Sequence, residues 1–284
     1  MLMQRVITAV ALLAVLLPAL FAQVVWPWMA LTLLFIAAGS WEWGRLQGLG
    51  FGPSMLGGLL VTGLCADAYF SGWVLQPLAG LWQSVSVFWV VLSVWMLRRG
   101  VTGWSQWPLS LRWPAGLLVL AAAWLALSQA RVLGVNFLLS SMALVWVADI
   151  AAYFTGRAFG GRIIRRKLAA TISPGKSWEG ALGGFAGVCV LAWVWRRLDV
   201  MLPVDAPSLF SRLMEMGLLW TAGALVFLTA MSVVGDLVES LVKRSAGMKD
   251  SSQLLPGHGG VLDRVDALLP TLPLCMMLVT WGGA

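Results

Sequence analysis

The stretch TAGALVFLTAMSVVGDLVESLVKR, residues 221–244, decides how this chain folds. Residues 221–235 carry no charge, and the run then continues without a helix breaker to Arg244. Because a spanning helix needs about 20 mostly apolar residues, this stretch is predicted to cross a membrane with its charged end at the surface. If it stays helical, Asp236, Ser240 and Lys243 share one face, at i, i+4 and i+7.

The whole chain has the same apolar character. Of its 284 residues, 60% are hydrophobic and 11% are charged, and the mean hydropathy is +0.87. A soluble globule, with roughly 25% charged residues, could not cover so much apolar surface, and a disordered chain has the opposite composition. Three cysteines without paired spacing exclude a disulfide framework and a zinc ribbon and are predicted to be packing residues: Cys65, Cys189 and Cys275. The composition therefore predicts an all-α, polytopic integral membrane protein.

Nine apolar stretches are long enough to cross a bilayer. The predicted spans are 6–22, 24–41, 54–72, 80–97, 113–129, 135–154, 178–195, 214–235 and 265–283. Lysine and arginine are divided unevenly between the two sides that these spans create, with 15 on the side of the N-terminus and 4 on the other. This bias places the N-terminus and the charge-rich loops 155–177 and 236–264 in the cytoplasm, and the C-terminus outside. The stretch 198–212 is predicted to be an external loop.

The scarce charges cluster near the C-terminus. Five of the 12 acids lie between positions 236 and 266, together with the only histidine, His258. Charge is costly near a bilayer, so its clustering indicates a functional site. The glycines around His258 allow a ligand to approach the backbone, and the following helix start favours anions. Asp263 and Asp266 share the first turn of that helix, and oxygen ligands of this kind suit Mg²⁺.

The loop before the seventh span repeats this theme. Asp149 lies inside the sixth span, and Ser173-Pro-Gly-Lys176-Ser177-Trp-Glu179-Gly enters the seventh. Ser177 is predicted to cap that helix, with Glu179 in its first turn. Lys176 lies in a tight turn at a helix start, where a phosphate would fit. The run 162–167 is more simply explained by binding of lipid headgroups.

These segments resemble a known family. Ser240-Leu-Val-Lys-Arg244, Lys249-Asp250, Leu255-Pro-Gly-His-Gly-Gly-Val261 and Asp263-Arg-Val-Asp266 resemble the signature of the phosphatidate cytidylyltransferases, also called CDP-diacylglycerol synthases. Asp149–Gly160 and Ser173–Gly180 also resemble family segments. The resemblance divides the chain into about five N-terminal spans, residues 1–130, and a catalytic region, residues 131–284.

The resemblance implies transfer of CMP from CTP to phosphatidate, giving CDP-diacylglycerol and pyrophosphate in phospholipid biosynthesis, with Mg²⁺ and room for a second cation. The expected metal ligands are Asp236 and Asp263, which form the catalytic set with Lys249, Asp250 and Asp266. The residues expected to bind substrate or phosphate are Ser240, Lys243, Arg244, Lys176, Ser173, His258, Gly259, Gly260, Arg264 and Asp149. Expected partners are CTP, phosphatidate and the bilayer, with a homodimer and without nucleic acid. The expected location is the bacterial cytoplasmic (inner) membrane, with the active site facing the cytoplasm.

Two other classes of function stay open at this stage. One is a neighbouring enzyme, a CDP-alcohol phosphatidyltransferase or a polyprenol kinase, although the former would show a run of aspartates interleaved with Gly and Ala-Arg. The other is a transporter that relays protons or ions through Asp149 and Asp236, which predicts acids near the middle of the bilayer. Clustering of the acids at one face favours surface chemistry.

Overall fold

The computed structural model describes residues 2–281. This part of the chain folds into eleven α-helices and a short 3-10 helix at Trp73–Leu75, without a β-strand. The all-α prediction is therefore confirmed. The helices are α1 (Leu2–Phe21), α2 (Trp26–Leu46), α3 (Phe51–Phe70), α4 (Ala79–Ser105), α5 (Leu109–Leu133), α6 (Val135–Phe159), α7 (Trp178–Met201), α8 (Leu209–Glu215), α9 (Leu218–Ser245), α10 (Leu262–Val265) and α11 (Leu268–Trp281).

Each predicted span overlaps one of the longer helices, and residues 282–283 of the ninth predicted span lie outside the described residues. Seven of the helices within residues 2–281 are long and apolar enough to cross a membrane, namely α1, α3, α4, α5, α6, α7 and α9. The other two predicted spans, α2 and α11, are not among these seven. Helix α2 carries Glu42, Arg45 and several tryptophans, and the described part of α11 has only 14 residues. The protein is therefore an integral membrane protein with several crossings. Cys65 and Cys275 are buried and Cys189 packs against the core, as predicted.

The region between α7 and α9 differs from the prediction. The stretch 198–212, predicted to be a loop, includes the end of α7 and most of α8, and the eighth span begins at Leu218 rather than at 214. The Ser208 hydroxyl caps α8 by accepting a hydrogen bond from the Ser211 N–H. Gly217 then adopts a φ of 106°, which favours glycine and turns the chain into α9.

The ninth predicted span also begins too early. The chain forms the short helix α10, turns at Asp266, and starts α11 only at Leu268. Pro270 lies in the first turn of α11, where its missing N–H is tolerated, whereas inside a continuous helix its ring would clash with the Asp266 carbonyl. That carbonyl instead packs against α9, where a Cβ on Gly235 would lie 2.7 Å from its oxygen.

Helices α6 and α7 pack closely along a face of small residues on α7. A Cβ on Gly184 would lie 2.8 Å from the Ala148 carbonyl oxygen, and one on Gly180 would lie 3.0 Å from that of Ala152. Only glycine permits this approach without a shift of backbone. The contact brings Asp149 of α6 beside the loop that precedes α7.

Hydrogen bonds between helix ends lie in two layers at opposite ends of the bundle. One layer, which we call the charged face, contains the loop between α9 and α10. There Arg5 of α1 donates to the Gly257 carbonyl over 2.9 Å. In the other, the opposite face, Arg131 of α5 donates to the Leu20 and Ala22 carbonyls at the far end of α1, over 2.9 and 2.7 Å. The beginning of α1 therefore lies on the same face as the loop between α9 and α10.

Candidate active site

The two sequence segments that carry charge meet in one groove at the charged face. This groove has a volume of about 620 Å³ and is lined by Asp149 of α6, Lys176 of the loop before α7 and Asp236 of α9. The Lys176 Nζ lies 2.6 Å from the Asp236 Oδ2, and the Ser240 hydroxyl donates to the Asp236 Oδ1 over 3.2 Å. The predicted helical stacking of Asp236 and Ser240 is therefore present. Asp236 remains 31% exposed, so a ligand can reach it.

Asp266 adds a third carboxyl beside this groove. It lies in the turn between α10 and α11, where the Ala267 N–H donates to its Oδ1 over 2.8 Å. Burial, followed by the negative charge of Asp236, raises the pKa of Asp266 to about 7. Three carboxyls thus lie in or beside a groove that Lys176, the partner of Asp236, and Arg157 also line, so the groove is rich in oxygen ligands.

Asp263 lies in a separate, more buried cluster, which we call the Asp263 cluster. Its carboxylate accepts hydrogen bonds from the Lys243 ammonium over 2.6 Å, the Gly260 N–H over 2.8 Å and the Ser251 N–H over 3.0 Å. Lys243 is also paired with Glu239, one turn earlier in α9. Burial alone would raise the pKa of Asp263, but its contacts with Glu239, Lys243 and the Gly260 N–H outweigh burial and hold the pKa at about 2.

Glu42 of α2 belongs to this cluster and was not predicted from the sequence. Its side chain is fully buried, and it accepts hydrogen bonds from the Val261 and Leu262 N–H groups over 2.9 and 2.8 Å. The hydroxyls of Ser251 and Ser252 also donate to it. The available sequence signal was an acid at the end of an apolar helix, where a buried charge requires partners.

Helix α1 holds the other side of the signature loop. Arg5 donates to the Gly257 carbonyl and the Thr8 hydroxyl to the Pro256 carbonyl, each over 2.9 Å. From within the signature, the Arg264 guanidinium donates to the His258 carbonyl over 2.6 Å. The His258 Nδ1 is buried without a hydrogen-bond partner among the residues that the structure describes. A phosphate contact by the His258 ring stays a prediction.

The remaining predicted residues lie near the site without converging on one point. Arg244, Lys249 and Asp250 are exposed at the charged face. Ser173 lies in the turn before α7 and is not part of the groove lining. Gly259 has a φ of 87°, and a Cβ there would lie 2.8 Å from the Asp263 Oδ2. The exposed cations are accessible to phosphates, whereas the ammonium of Lys243 is held between carboxylates.

The start of α7 is built as predicted and does more than predicted. The Ser177 hydroxyl accepts a hydrogen bond from the Gly180 N–H over 3.1 Å, which confirms the cap. The Glu179 Oε1 reaches back to accept hydrogen bonds from three backbone N–H groups of the preceding loop, those of Gly161, Ile163 and Ile164. Glu179 thereby fixes the loop that carries the exposed basic run 162–167.

The carboxyls differ in how well they fit a metal ion. No group of three or more His, Cys, Asp or Glu side chains within residues 2–281 forms a ready metal site. Mg²⁺ usually takes only one or two protein carboxylates, so the donor set around Asp236, with Asp149 and Asp266 beside it, fits this ion. Both oxygens of Asp263 already accept hydrogen bonds, so a metal there would have to share or displace those donors.

The chain is similar to known proteins over its whole length. Residues 3–281 match the sequence model of the cytidylyltransferase family. The phosphatidate cytidylyltransferase of Pseudomonas aeruginosa is 38% identical, over 100% of this chain and 98% of the relative. That of Haemophilus influenzae is 36% identical over 96% of both chains, and that of Brucella melitensis is 44% identical over 60% of this chain and 58% of the relative. This chain belongs to the cytidylyltransferase family.

Proposed function

We propose that this protein transfers CMP from CTP to phosphatidate, forming CDP-diacylglycerol and pyrophosphate. The observation that carries the proposal is the ion pair between Lys176 and Asp236, which joins the two charged sequence segments in one groove at the charged face. Family membership and the names of the similar enzymes support the same reaction.

The reaction sets a demand that these residues suit. A phosphate oxygen of phosphatidate attacks the α-phosphorus of CTP in line, and pyrophosphate leaves. Because the attacking oxygen is already anionic, no strong general base is needed. The site must instead bring two polyanions together by positioning and by charge neutralisation.

The cations are placed for this task at two depths. Lys176 lies within the groove, and Arg157 also lines it. Arg244, Lys249 and Arg264 are exposed around the signature loop. We assign Lys176 to a phosphate next to the reacting phosphorus and the exposed cations to the outer phosphates. Lys243 acts by holding Asp263 and Glu239 in place.

Mg²⁺ is the proposed cofactor. Asp236 would hold it, with Asp266 or Asp149 as a neighbouring oxygen ligand. Asp263, predicted from the sequence as the second ligand, would take part only by giving up hydrogen bonds from Lys243 or the loop. When bound, the ion would neutralise charge on the phosphate oxygens. A second cation also belongs to this proposal.

The proposed topology has nine crossings in the bacterial cytoplasmic (inner) membrane, with the N-terminus and the active site in the cytoplasm and the C-terminus outside. The contact of Arg5 with the signature loop supports it, because it places the N-terminal end of α1 on the charged face. The excess of lysine and arginine on that side supports the cytoplasmic assignment. A homodimer, without nucleic acid as a partner, is proposed from the family resemblance.

A single assay tests the reaction. The purified protein in detergent micelles is supplied with CTP, phosphatidate and Mg²⁺, and pyrophosphate and CDP-diacylglycerol are both measured. We expect equal amounts of the two products, and loss of both when either substrate is omitted or Mg²⁺ is chelated. In separate assays, release of CMP from added CDP-diacylglycerol and an alcohol acceptor would instead indicate a phosphatidyltransferase, and ion flux into proteoliposomes without pyrophosphate release would indicate a transporter.

A further inference from the structure

We propose that Glu42 is a positioning residue for the reaction: it holds both ends of the loop 251–262 and thereby sets the place of Asp263. The inference rests on the proposed function and extends the active site into the N-terminal half of the chain. Glu42 lies at the end of α2, more than half of the sequence away from this loop.

The contacts of Glu42 are complete and are made by neutral donors. Its Oε1 accepts from the Ser252 hydroxyl and the Val261 N–H, and its Oε2 accepts from the Ser251 hydroxyl and the Leu262 N–H. The side chain is fully buried. Within residues 2–281, no lysine or arginine forms an ion pair with it. Glu42 therefore acts through the geometry of its hydrogen bonds and not through an ion pair.

Two of these donors are buried amide groups at a helix start. The Val261 and Leu262 N–H groups precede or begin α10, so they have no acceptor one turn earlier in that helix. Glu42 therefore caps α10 from another helix. Asp263 lies in the first turn of the helix that is fixed in this way.

A second connection runs through Ser251. Its hydroxyl oxygen lies 3.1 Å from both the Glu42 Oε2 and the Asp263 Oδ2, and its N–H donates to Asp263. Glu42 thus contacts the loop at its beginning, through Ser251 and Ser252, and at its end, through Val261 and Leu262. The loop between these points carries His258 and the glycines.

The loop packs so tightly against Glu42 that neither can move without displacing the other. A Cβ on Gly260 would lie 2.5 Å from the Glu42 Oε1 and 2.0 Å from the Ser251 oxygen. A shift of the carboxylate by a fraction of an ångström must therefore be taken up by the loop or by Asp263. Small displacements of this kind lower turnover when catalysis depends on positioning.

The test compares Glu42→Gln with Glu42→Asp. Gln keeps the shape but turns an NH₂ group toward two donors, whereas Asp keeps both acceptor oxygens and is one methylene shorter. We expect Glu42→Gln to lower kcat by about 10- to 100-fold per folded molecule, with the KM for phosphatidate changed less than about 3-fold. Glu42→Asp should recover part of that loss. Folded protein is quantified from thermal unfolding in detergent.

The matched control is Asp199→Asn. Asp199 lies at the opposite face, about 30 Å along α7 from the start of that helix at the charged face. Asp199 likewise accepts hydrogen bonds from a backbone N–H and from side chains, those of Ser208, Ser211 and Asn136. We expect it to lower the unfolding temperature and to leave kcat unchanged. Wild-type kcat in folded Glu42→Gln, or an equal kcat loss in the control, would overturn the inference.

Two further measurements separate the possible failures. Trypsin cleavage at the exposed Lys249, beside the loop, should be faster in Glu42→Gln than in the wild type, whatever reaction the protein catalyses, and an unchanged rate would count against the inference. Absence of turnover in the wild type would refute the proposed function instead. If Glu42→Gln does not fold, Ser252→Ala removes one of the four donors to Glu42, together with the acceptor of the Leu254 N–H. We expect a kcat about 3- to 10-fold lower, and an unchanged kcat would overturn the inference.

Discussion

Asp236 and Asp263 are both expected from the sequence to be metal ligands, yet the structure places them in different surroundings. The side chain of Asp236 is 31% exposed in an open groove, with Lys176 and the Ser240 hydroxyl as its partners. The side chain of Asp263 is 6% exposed, and it accepts hydrogen bonds from Lys243 and from backbone N–H groups of its own loop.

This difference separates two ways in which a carboxylate serves an active site. A group with accessible oxygens can exchange its partners for a substrate or a cation, so its loss should affect turnover alone. A group whose oxygens are all occupied maintains the loop around it, so its loss should affect both turnover and stability. The comparison therefore predicts distinct signatures for the same chemical substitution at the two positions.

The largest effect is expected for Asp236→Asn. The substitution removes the negative charge that pairs with Lys176 and serves as the proposed cation ligand, so kcat should fall by about 1,000-fold. The unfolding temperature should change little, because partly exposed ion pairs contribute about 1 kcal/mol or less. Turnover and thermal unfolding are measured on the same preparation. Turnover near that of the wild type would remove Asp236 from the catalytic set.

Asp263→Asn should show the opposite balance. We expect a loss of about 2 kcal/mol in the free energy of unfolding, because the buried Lys243 and two backbone N–H groups lose acceptor capacity. Turnover should fall by about 100-fold as the loop loses its anchor. Unfolding by detergent titration gives the first quantity and initial rates give the second. An unchanged free energy of unfolding would show that the hydrogen bonds to Asp263 are dispensable. Asp263 would then be free to act as a metal ligand.

The fold was largely predictable because a bilayer imposes long apolar helices. Hydrophobic runs located each of the longer helices, including α9, whose charged end was read from the sequence. The errors concern short elements. Helix α8 is too short for a hydrophobic span, and its start depends on the Ser208 cap and on Asp199. The delayed start of α11 reflects Pro270 and the close contact at Gly235.

The site was predictable only in part, because local patterns do not reveal distant partners. The Asp236 and Ser240 pair follows from helical spacing. The contacts of Glu42 and Arg5 with the signature loop join residues more than 200 positions apart, and no periodicity encodes them. Similarly, Lys243 was expected to face phosphate, but its orientation depends on Asp263 and Glu239, which surround it in three dimensions.

Gly260→Ala should produce an intermediate effect within the Asp263 cluster. The added methyl would lie 2.0 Å from the Ser251 oxygen, so the loop must move. We expect a loss of about 1–3 kcal/mol in the free energy of unfolding and about 10-fold lower turnover. The control is Gly63→Ala in α3, where a Cβ meets no atom within 4 Å, and both quantities should stay close to wild type or the stability should rise slightly. Equal results for the two variants would mean that the cluster yields freely.

The smallest effect tests the comparison with two helix caps. Ser177 caps α7 at the groove and Ser208 caps α8 at the opposite face, each by accepting one backbone hydrogen bond. Alanine at either position should cost about 1 kcal/mol of stability. Only Ser177→Ala should lower turnover, by about 3-fold, because the cap fixes the turn that presents Lys176 to Asp236. If both variants kept full turnover at equal loss of stability, the groove would tolerate movement at its edge. The positional demand would then lie in the loop that Glu42 and Asp263 hold.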